Sequence, residues 1–494
     1  MAYKDQREFI KALEKIGDAQ NIEKEVDWNL EAGAILRRTY ELGLPAPFFK
    51  KIKGYPKGYR MFGGTLSSYA RVAMAMGLPP DTPYRELMET YITRKRKLLK
   101  PVLVKNAPCK ENIVMGKDVN LFQFPAPMLH EGDGGRYLCT WHAQVTKDPE
   151  SGWVNWGMYR AMIHTKNTLG GLLEPHQHIG YHYFRKFESF DKPMPVAIAI
   201  GPEPVSAMMA MTKVPYMESE VEIAGALRQA PVELVKCETI DLEVPATSEI
   251  VIEAEIYPRE RVFEGPFGEF TGYRASPRDL RPVYRVKAIT YRNDPILTVS
   301  CMGVPIDDCH APMGVTMGAE LLMELRRKGV PVVDVACYAE CAGLMVAVSV
   351  KPPYANIADK IAHIVWGMEG GDVRPYVIVL DDDVDPYNIW QVMHSITTKC
   401  HPYRGIHRIE RAQGTALLPF EDRRERLFRL GAKAYFDCTW PLDWDPSIAV
   451  PPRSSFDKIY SKEVQEHVLN NWKDYGFTRG IPEQKGRKAK SRSS

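Results

Sequence analysis

Short apolar runs of strand length follow one another through the middle of the chain, from about residue 137 to 300, and they constrain the fold most strongly. PVAIAIG (195–201) and PILTVSCMG (295–303) are continuous apolar runs. In SEIVIEAEI (248–256) the apolar residues alternate with polar or outward positions, which predicts a half-buried strand. Several such runs separated by turn signals predict a β-rich barrel or sandwich.

The C-terminal part of the chain alternates strand and helix patterns. GLMVAVSV (343–350) and VRPYVIVL (373–380) are strand-like, and ANIADKIAHIVWGME (355–369) between them has helical periodicity. Asp385 followed by Pro386 is typical of an N-cap and the first position of a further helix. This order predicts an α/β layer with parallel strands.

The N-terminal hundred residues have a mixed α/β pattern, with helical periodicity near 4–16, 30–43 and 82–98. Proline and glycine then become frequent in NLFQFPAPMLHEGDGG (120–135), which is a plausible entry to a second domain. A chain of 494 residues is too long for one simple core, so we expect two or three domains.

Composition disfavours several classes of protein. A net charge of +3 predicts neither nucleic-acid nor membrane binding, and the basic tail KGRKAKSRSS (485–494) is expected to remain solvated. We find no apolar run as long as a membrane span and no signal-peptide core. The nine cysteines are scattered, and CYAEC (337–341) has no matching second pair, which disfavours zinc. Free buried thiols in a reducing cytoplasm are expected.

The stretch EGPFGEFTGYRA (264–275) carries two carboxylates, Glu264 and Glu269, among glycines and a proline. Neither a helix nor a central strand tolerates that composition, so the stretch is predicted to be a shaped loop. Such a loop could be a solvated acid-bearing turn, or it could direct both acids towards chemistry on a rigid scaffold.

The strand-like stretch VNWGMYRAMIH (154–164) contains Asn155 and Arg160, which would point to opposite faces of a regular strand. Gly157 lies between them and would allow a bulge or the close approach of a ligand. An arginine in these apolar surroundings requires an anion, either a protein acid or a substrate carboxylate.

Two further motifs offer metal ligands. In EPHQHIGYH (174–182), His176 and His178 would face the same side of an extended segment and could share a metal. Equally, one could be a ligand and the other a packed neighbour. In SEVEIAG (219–225), Glu220 reads by itself as part of an exposed helix start or loop.

Asn155, His178 and Glu220 together offer an amide oxygen, an imidazole and a carboxylate, a set that suits Mn²⁺ or Mg²⁺. One negative charge on a divalent ion leaves spare positive charge, so such a site would accept the phosphate of a cofactor lying near Arg160. The acid run DDDVD (381–385) follows an apolar strand and precedes a helix, so it favours a capping role over a metal site.

These motifs resemble those of the UbiD family of reversible decarboxylases, which use prenylated FMN (prFMN). The matching words are VNWGMYR, EPHQHIG, SEVEIAGAL, VKCETIDLEVPATSEIVIEAEI, EGPFGEFTGY, VIVLDDDVDP and HSITTK, which stand in family order along most of the chain. The resemblance implies an α/β multidomain (α+β) fold. Its expected parts are an N-terminal α/β domain (1–115), a central split β-barrel that binds flavin (116–310), and a C-terminal α/β domain that helps dimerisation and carries the basic tail (311–494).

The resemblance also implies roles for individual residues. Asn155, His178 and Glu220 would bind the Mn²⁺ that holds the flavin phosphate, with K⁺ close by. Arg160, Glu264 and Glu269 match the catalytic arginine and acids, with Glu269 as the proton donor. Many ubiquinone-pathway members carry Asp at the Glu269 position, so the chain leans away from that branch. The further residues expected to line the cofactor are Trp156, Met158, Gln177 and Phe270.

The activity implied is reversible, non-oxidative decarboxylation of an aromatic, heteroaromatic or α,β-unsaturated acid through a covalent substrate–prFMN adduct. Its partners would be the acid, CO₂, a flavin prenyltransferase that supplies the cofactor, and further copies of the chain in a homodimer or larger homo-oligomer. Two alternatives are a UbiD-like subunit of a multi-subunit aromatic carboxylase and a metal-dependent hydrolase. His310 could contact a substrate hydroxyl or ring nitrogen, or be structural, and TALLPF (415–420) could close the ring pocket.

Overall fold

The helices and strands are described over residues 3–477 of a computed structural model. The strands are β1 (Ala19–Ile22), β2 (Ala46–Phe49), β3 (Arg60–Gly63), β4 (Val102–Leu103), β5 (Asn112–Met115), β6 (Tyr137–Cys139), β7 (His142–Lys147), β8 (Val154–Gly157), β9 (Ala161–Thr165), β10 (Thr168–Gly171), β11 (Met194–Ile200), β12 (Glu233–Lys236), β13 (Glu243–Pro245), β14 (Ile250–Glu264), β15 (Asp279–Tyr291), β16 (Ile296–Val299), β17 (Val332–Cys337), β18 (Met345–Val350), β19 (Tyr376–Asp381), β20 (Ile406–Gln413) and β21 (Leu430–Cys438).

The α-helices are α1 (Gln6–Lys15), α2 (Glu31–Glu41), α3 (Tyr69–Ala75), α4 (Tyr84–Lys95), α5 (His178–Gly180), α6 (Pro204–Met211), α7 (Glu220–Arg228), α8 (His310–Arg327), α9 (Ile357–Gly367), α10 (Ile389–Thr398), α11 (Arg423–Phe428), α12 (Phe456–Ile459) and α13 (Lys462–Asn470). Of the described residues, those up to Thr439 form one compact unit, and 440–477 form a second unit that contains α12 and α13. The tail at 485–494 lies outside the described residues.

The N-terminal sheet has the strand order β1-β2-β3-β16, so its last strand comes from far along the chain. β16 pairs in parallel with β3, with Ile296 opposite Arg60. Assigning PILTVSCMG to the central β-rich region was therefore wrong. A continuous apolar run indicates a strand buried on both faces, but it does not identify the sheet that the strand joins. α1, α2 and α4 confirm the three predicted helices of this region.

The central nine-stranded sheet has the order β6-β9-β10-β15-β14-β11-β7-β8, with β5 also paired to β15. It is a curled antiparallel half-barrel, which confirms the predicted fold class. The long hairpin of β14 and β15 lies at its centre and delivers Glu264 at the point where the glycine-rich loop begins.

The start of β14 is buried on both faces rather than half-buried, which corrects the prediction for SEIVIEAEI. Ile252 and Glu253, on opposite faces, are both fully buried. The Glu253 carboxylate accepts hydrogen bonds from the backbone N–H groups of Glu238 and Thr239, each at 2.7 Å, so the acid is satisfied without solvent.

The C-terminal layer is a five-stranded sheet of order β17-β18-β19-β21-β20, in which β18, β19 and β21 are parallel. α9 connects β18 and β19 as predicted. The predicted cap at Asp385 is wrong, because α10 starts later with Asn388 as its N-cap. Asp385 instead accepts the backbone N–H of Tyr387 at 3.0 Å, which closes a turn before the helix.

The nine cysteines are all free thiols, as predicted. Across residues 3–477, none of the helices combines the length and the apolarity that crossing a membrane would require.

Candidate active site

Arg160 joins the two acids of the glycine-rich loop. Its Nε and Nη2 each donate to Glu264 at 2.9 Å, and its Nη1 contacts Glu269 Oε1. The hydroxyl of Tyr137 donates to Glu264 Oε1 at 2.6 Å. All four side chains are buried, so the loop is not a solvated turn. The anion that Arg160 was predicted to need is therefore a pair of protein carboxylates.

A break between two strands aims Arg160 into the site. β8 ends at Gly157 and β9 begins at Ala161, so Arg160 belongs to neither strand. A Cβ on Gly157 would lie 2.1 Å from the ring of Tyr159, so the ring can fold back only over a glycine. The Tyr159 carbonyl accepts a hydrogen bond from Gln144 at 2.6 Å. The irregularity predicted at Gly157 is thus present.

The loop after β14 is held by close backbone packing. Gly265 and Gly272 have φ of 83° and 86°, a region that side chains other than glycine rarely occupy. The N–H of Gly134 donates to the carbonyl of Pro266 at 2.7 Å. A Cβ on Gly134 would lie 2.0 Å from the carbonyl oxygen of Gly265, so these two chain segments are in contact.

An ion pair beneath the loop fixes its middle. Asp133 accepts the backbone N–H of Gly268 at 3.0 Å and lies 2.9 Å from His130 Nδ1. Burial opposes the charge on His130, but its contacts with the Asp133 carboxylate and with Cys301 outweigh burial, and the pKa of His130 is raised to about 10. A Cβ on Gly268 would lie 2.5 Å from the His130 ring, so the loop rests directly on this histidine.

The two loop acids have different surroundings. Burial raises the pKa of Glu269, and the charge of Glu264 adds to this, whereas the Arg160 guanidinium acts in the opposite direction. Glu264 accepts two donors from Arg160 and a third from Tyr137. Glu264 is therefore suited to anchoring the arginine, and Glu269 is the acid suited to carrying a transferable proton.

Asn155, His178 and Glu220 all line one cavity of about 180 Å³, which Arg160 and Glu269 also line. Asn155 Oδ1 and His178 Nε2 are buried and accept or donate no hydrogen bond within residues 3–477. Burial raises the pKa of Glu220 to about 8, and its Oε2 accepts the N–H of Trp156 at 3.1 Å. The nearest charged group to His178 Nε2 is Glu369 Oε1 at 3.7 Å, beyond hydrogen-bond distance. Buried groups of these types with free bonding positions fit a divalent cation.

The expectation that His176 and His178 face the same side of an extended segment is wrong. The histidines do not share an extended segment, because His178 opens α5 and the chain continues as a π-helix over Tyr181–Phe187. His176 Nε2 lies 3.1 Å from Asp372, and His182 Nδ1 lies 2.9 Å from the hydroxyl of Thr146, so each has its own partner.

Glu220 is not exposed either, since it is buried in the first turn of α7 behind the N-cap Ser219. A search of residues 3–477 finds no group of three or more His, Cys, Asp or Glu arranged to hold a metal ion. The Asn155 set contains only two residues of those types.

The cavity wall contains the four residues predicted to line a cofactor, namely Trp156, Met158, Gln177 and Phe270. Thr415 and Leu417 of the predicted ring-closing stretch line it as well. His310 is not among the lining residues. It is fully buried, with Nε2 2.6 Å from the carbonyl oxygen of Phe270 and Nδ1 3.0 Å from Asp307. These contacts favour the structural alternative for His310.

Several residues of the site were missed by sequence reasoning. The stretch 120–135 was interpreted only as the entry to a second domain, but it contains His130 and Asp133, and Tyr137 follows it. Arg374 and Lys213 also line the cavity and add positive charge to its wall. The sequence showed that Arg160 needs an anion. It did not show which residues contact Glu264, because these partners lie more than a hundred residues away along the chain.

Comparison with protein families confirms the resemblance. Three family models match the chain in order: the 3-octaprenyl-4-hydroxybenzoate carboxy-lyase N-terminal domain over 10–91, the Rift-related domain over 100–305 and the C-terminal domain over 310–438. The chain belongs to the UbiD family and is a carboxy-lyase. The hydrolase alternative is therefore not supported. The domain boundaries at 115 and 310 stay a prediction.

Individual relatives cover nearly the whole chain. A pyrrole-2-carboxylic acid decarboxylase of Pseudomonas aeruginosa is 32% identical, with 96% of this chain and 98% of the relative covered. The closed form of a vanillic acid decarboxylase from Sedimentibacter hydroxybenzoicus matches with a TM-score of 0.87 at 33% identity, over 96% of this chain and 99% of that chain. An evolved dimeric form of the UbiD-class enzyme HmfF from Pelotomaculum thermopropionicum, in complex with prFMN, matches with a TM-score of 0.76 at 28% identity, over 90% and 96%.

Proposed function

We propose that the chain is a reversible decarboxylase of aromatic or heteroaromatic acids that acts with prFMN held through Mn²⁺. The observation that carries this proposal is the shared cavity. Arg160 and Glu269 line the same cavity as Asn155 and His178, and Glu264 holds Arg160 from behind through a buried ion pair. The relatives that act on pyrrole-2-carboxylic and vanillic acids support an aromatic substrate, and HmfF in complex with prFMN supports the cofactor.

The residues that would hold the cofactor follow from the cavity wall. Asn155, His178 and Glu220 would bind the Mn²⁺ that carries the phosphate, with K⁺ as a second cation. Arg374 and Lys213 provide two cationic groups of the kind that bind phosphate, beside the carboxylates of Asp372 and Glu369 in the same wall. When bound, prFMN would supply the electron sink that side chains lack for the charge left behind by departing CO₂.

The acids and Arg160 then have separate tasks. Arg160, whose Nε and Nη2 are fixed by Glu264, would orient the substrate carboxylate through the remaining N–H groups of Nη1 and Nη2. Glu269, whose pKa is raised by burial, would donate the proton that replaces CO₂ on the substrate carbon. Tyr137 and the His130–Asp133 pair would keep these groups in position without taking part in the proton transfer.

Cofactor loading tests the proposal directly. The chain is co-expressed with a flavin prenyltransferase, purified without oxygen in a cytoplasm-like reducing buffer with Mn²⁺ and K⁺, and examined by absorbance and by mass spectrometry of the released cofactor. His178→Ala and Glu220→Gln are expected to lower the bound flavin about tenfold or more, since loss of even an outer partner of a metal ligand costs about that much.

Two residues of the same types serve as matched controls. Glu222→Gln changes a partly exposed acid on the same helix as Glu220, and His164→Ala changes an exposed histidine on β9. Both should retain full loading. If the folded wild type binds no flavin, the chain by itself is not the decarboxylase. Co-purification would then test whether it requires further subunits. Size-exclusion chromatography of the loaded protein tests the proposed homo-oligomer.

The contact beneath the catalytic loop gives a second prediction. Gly134→Ala would add a Cβ about where the carbonyl oxygen of Gly265 now lies, so Glu264 and Glu269 should be displaced. A displacement of about 1 Å can cost about a hundredfold in rate, and we expect a fall of that order in kcat with the flavin retained. Gly367→Ala is the control, because a Cβ there meets nothing within 4 Å. Equal activities of the two variants would contradict the positioning role of this contact.

A further inference from the structure

Glu174 lies on the same cavity wall as the catalytic arginine. In the pairing of β9 with β10, Gly171 is opposite Ala161, and Leu172 and Arg160 are the residues next to this last pair. Glu174 follows two residues later, which is at most about 7 Å along the chain, roughly the length of an aromatic ring. Both Leu172 and Glu174 line the cavity. A buried carboxylate therefore lines the same cavity as the group that would hold the substrate carboxylate, and the two follow directly on the paired ends of neighbouring strands.

Arg429 fixes the direction of this carboxylate. Its Nε and Nη2 donate to Glu174 at 2.7 and 2.6 Å, and Glu174 is only 3% exposed. A carboxylate has about four lone-pair positions, and a guanidinium fork occupies one on each oxygen. Each oxygen of Glu174 thus retains a second position for another donor.

A series of contacts links the ion pair to the loop that carries the proton donor. The N–H of Gly414 bonds the carbonyl of Arg429 at 2.8 Å, and the chain from there leads directly to Leu417 in the cavity wall. The carbonyl of Leu417 accepts the hydroxyl of Thr271 at 3.1 Å, two residues beyond Glu269. One continuous set of contacts connects the pair with the Glu269 loop.

Much of this wall is apolar and rich in sulfur, with contributions from Phe270, Met302, Met313, Met317 and Leu417. An aromatic ring fits such surroundings, but a carboxylate among them is costly unless its remaining oxygen positions find donors. A site of this kind discriminates strongly, because an analogue without the donor leaves the buried acceptor unpaired.

We propose that Glu174, held by Arg429, is a specificity-determining residue that accepts a hydrogen bond from a hydroxyl or ring N–H of the aromatic substrate. This inference rests on the proposed decarboxylase function and names the substrate class within it: aromatic acids with a hydrogen-bond donor on the ring, away from the reacting carboxylate. Arg429 is the positioning residue that holds the acceptor in place at the cavity wall.

A panel of acids tests the assignment on the flavin-loaded full chain. The panel contains 4-hydroxybenzoate, pyrrole-3-carboxylate, 4-methoxybenzoate and benzoate, so that a hydroxyl donor and a ring N–H are distinguished from each other and from rings without a donor. We expect kcat/KM of the wild type for a donor-bearing acid to exceed that for benzoate by about 10- to 100-fold, as a hydrogen bond to a charged group allows. Glu174→Gln should lower this ratio about tenfold or more, chiefly through KM.

A binding measurement separates recognition from catalysis. Calorimetry in a Glu269→Gln background measures the affinity for 4-hydroxybenzoate and benzoate without turnover, and Glu174→Gln should reduce the difference there as well. Glu260→Gln, which weakens an ion pair with Arg285 outside the cavity, is the control and should leave the ratio unchanged. The double variant Glu174→Gln, Arg429→Gln replaces the ion pair by two amides. It takes the place of Glu174→Gln in both measurements if the single variant does not fold.

The outcomes that would overturn the inference differ from those that would overturn the function. If Glu174→Gln lowers kcat/KM equally for every acid, Glu174 is a structural clamp. If the ratio does not change, it has no part in recognition. If the loaded wild type decarboxylates none of the acids, the proposed function fails, and the calorimetric preference still decides for or against a Glu174 acceptor.

Discussion

Glu269→Gln is expected to lower the rate of decarboxylation about 10²- to 10⁴-fold, the range that a positioned proton donor contributes. The amide has nearly the same shape and can still contact Arg160, but it has no proton to donate to the substrate carbon. The amount of bound flavin should not change, because Glu269 is not one of the residues proposed to hold the metal. Single-turnover CO₂ release and the flavin absorbance measure the two quantities on one preparation.

The wild-type pH profile provides a further measure of the same role. Burial raises the pKa of Glu269, although Arg160 acts against this, and the charges of Glu264 and Asp133 add to the rise. The donor is therefore still protonated at pH values where an ordinary glutamic acid is ionised, and the rate should fall as the pH rises through the raised pKa. Glu269→Asp retains a carboxyl group and should keep part of the activity with a shifted alkaline limb.

Glu131→Gln is a suitable control, because this exposed acid lies close in sequence to Asp133 but outside the cavity wall. It should retain the wild-type rate and pH profile. A Glu269→Gln variant within about twofold of the wild type would refute the donor role, since general acid catalysis is worth far more than that.

Local sequence patterns were sufficient to predict many of the strands and helices, and to predict that Arg160 needs an anionic partner. The apolar runs predicted the strands, and the glycines around Glu264 and Glu269 predicted a shaped loop. An arginine among apolar residues needed an anion whatever the topology was. Each of these inferences depends on a residue and its near neighbours, where backbone propensity and the cost of burying charge decide the result.

What the pattern could not predict depends on contacts between distant segments. Ile296–Val299 looks the same in either sheet, and only its pairing with β3 assigns it to the N-terminal one. Asp385 and Asn388 are both good caps, and the turn closed by Tyr387 decides between them. Glu220 reads as exposed because its burial comes from packing that a local window does not contain.

Replacing the arginine at the centre of the site should have the largest effect on stability. Arg160→Met fills a similar volume but removes the cation shared by Glu264 and Glu269, both of which are buried. Removing one partner of a buried ion pair costs about 3–5 kcal/mol, and we expect a fall of that size in the apparent free energy of unfolding at neutral pH. Urea denaturation of the flavin-free protein measures this change without interference from cofactor binding.

The cause assigned to this loss can be tested independently of its size. Adding Glu264→Gln and Glu269→Gln to Arg160→Met removes the two uncompensated charges, so the triple variant should be more stable than the single one. Buried acids without a cation bind protons more readily in the folded state than in the unfolded chain, so the deficit of Arg160→Met should be smaller at pH 5 than at pH 8. Arg285→Met, which breaks an exposed pair with Glu260, should cost no more than about 1 kcal/mol. If the triple variant is as unstable as Arg160→Met, the loss of stability comes from altered packing. The two buried carboxylates would then not depend on the charge of Arg160 for stability.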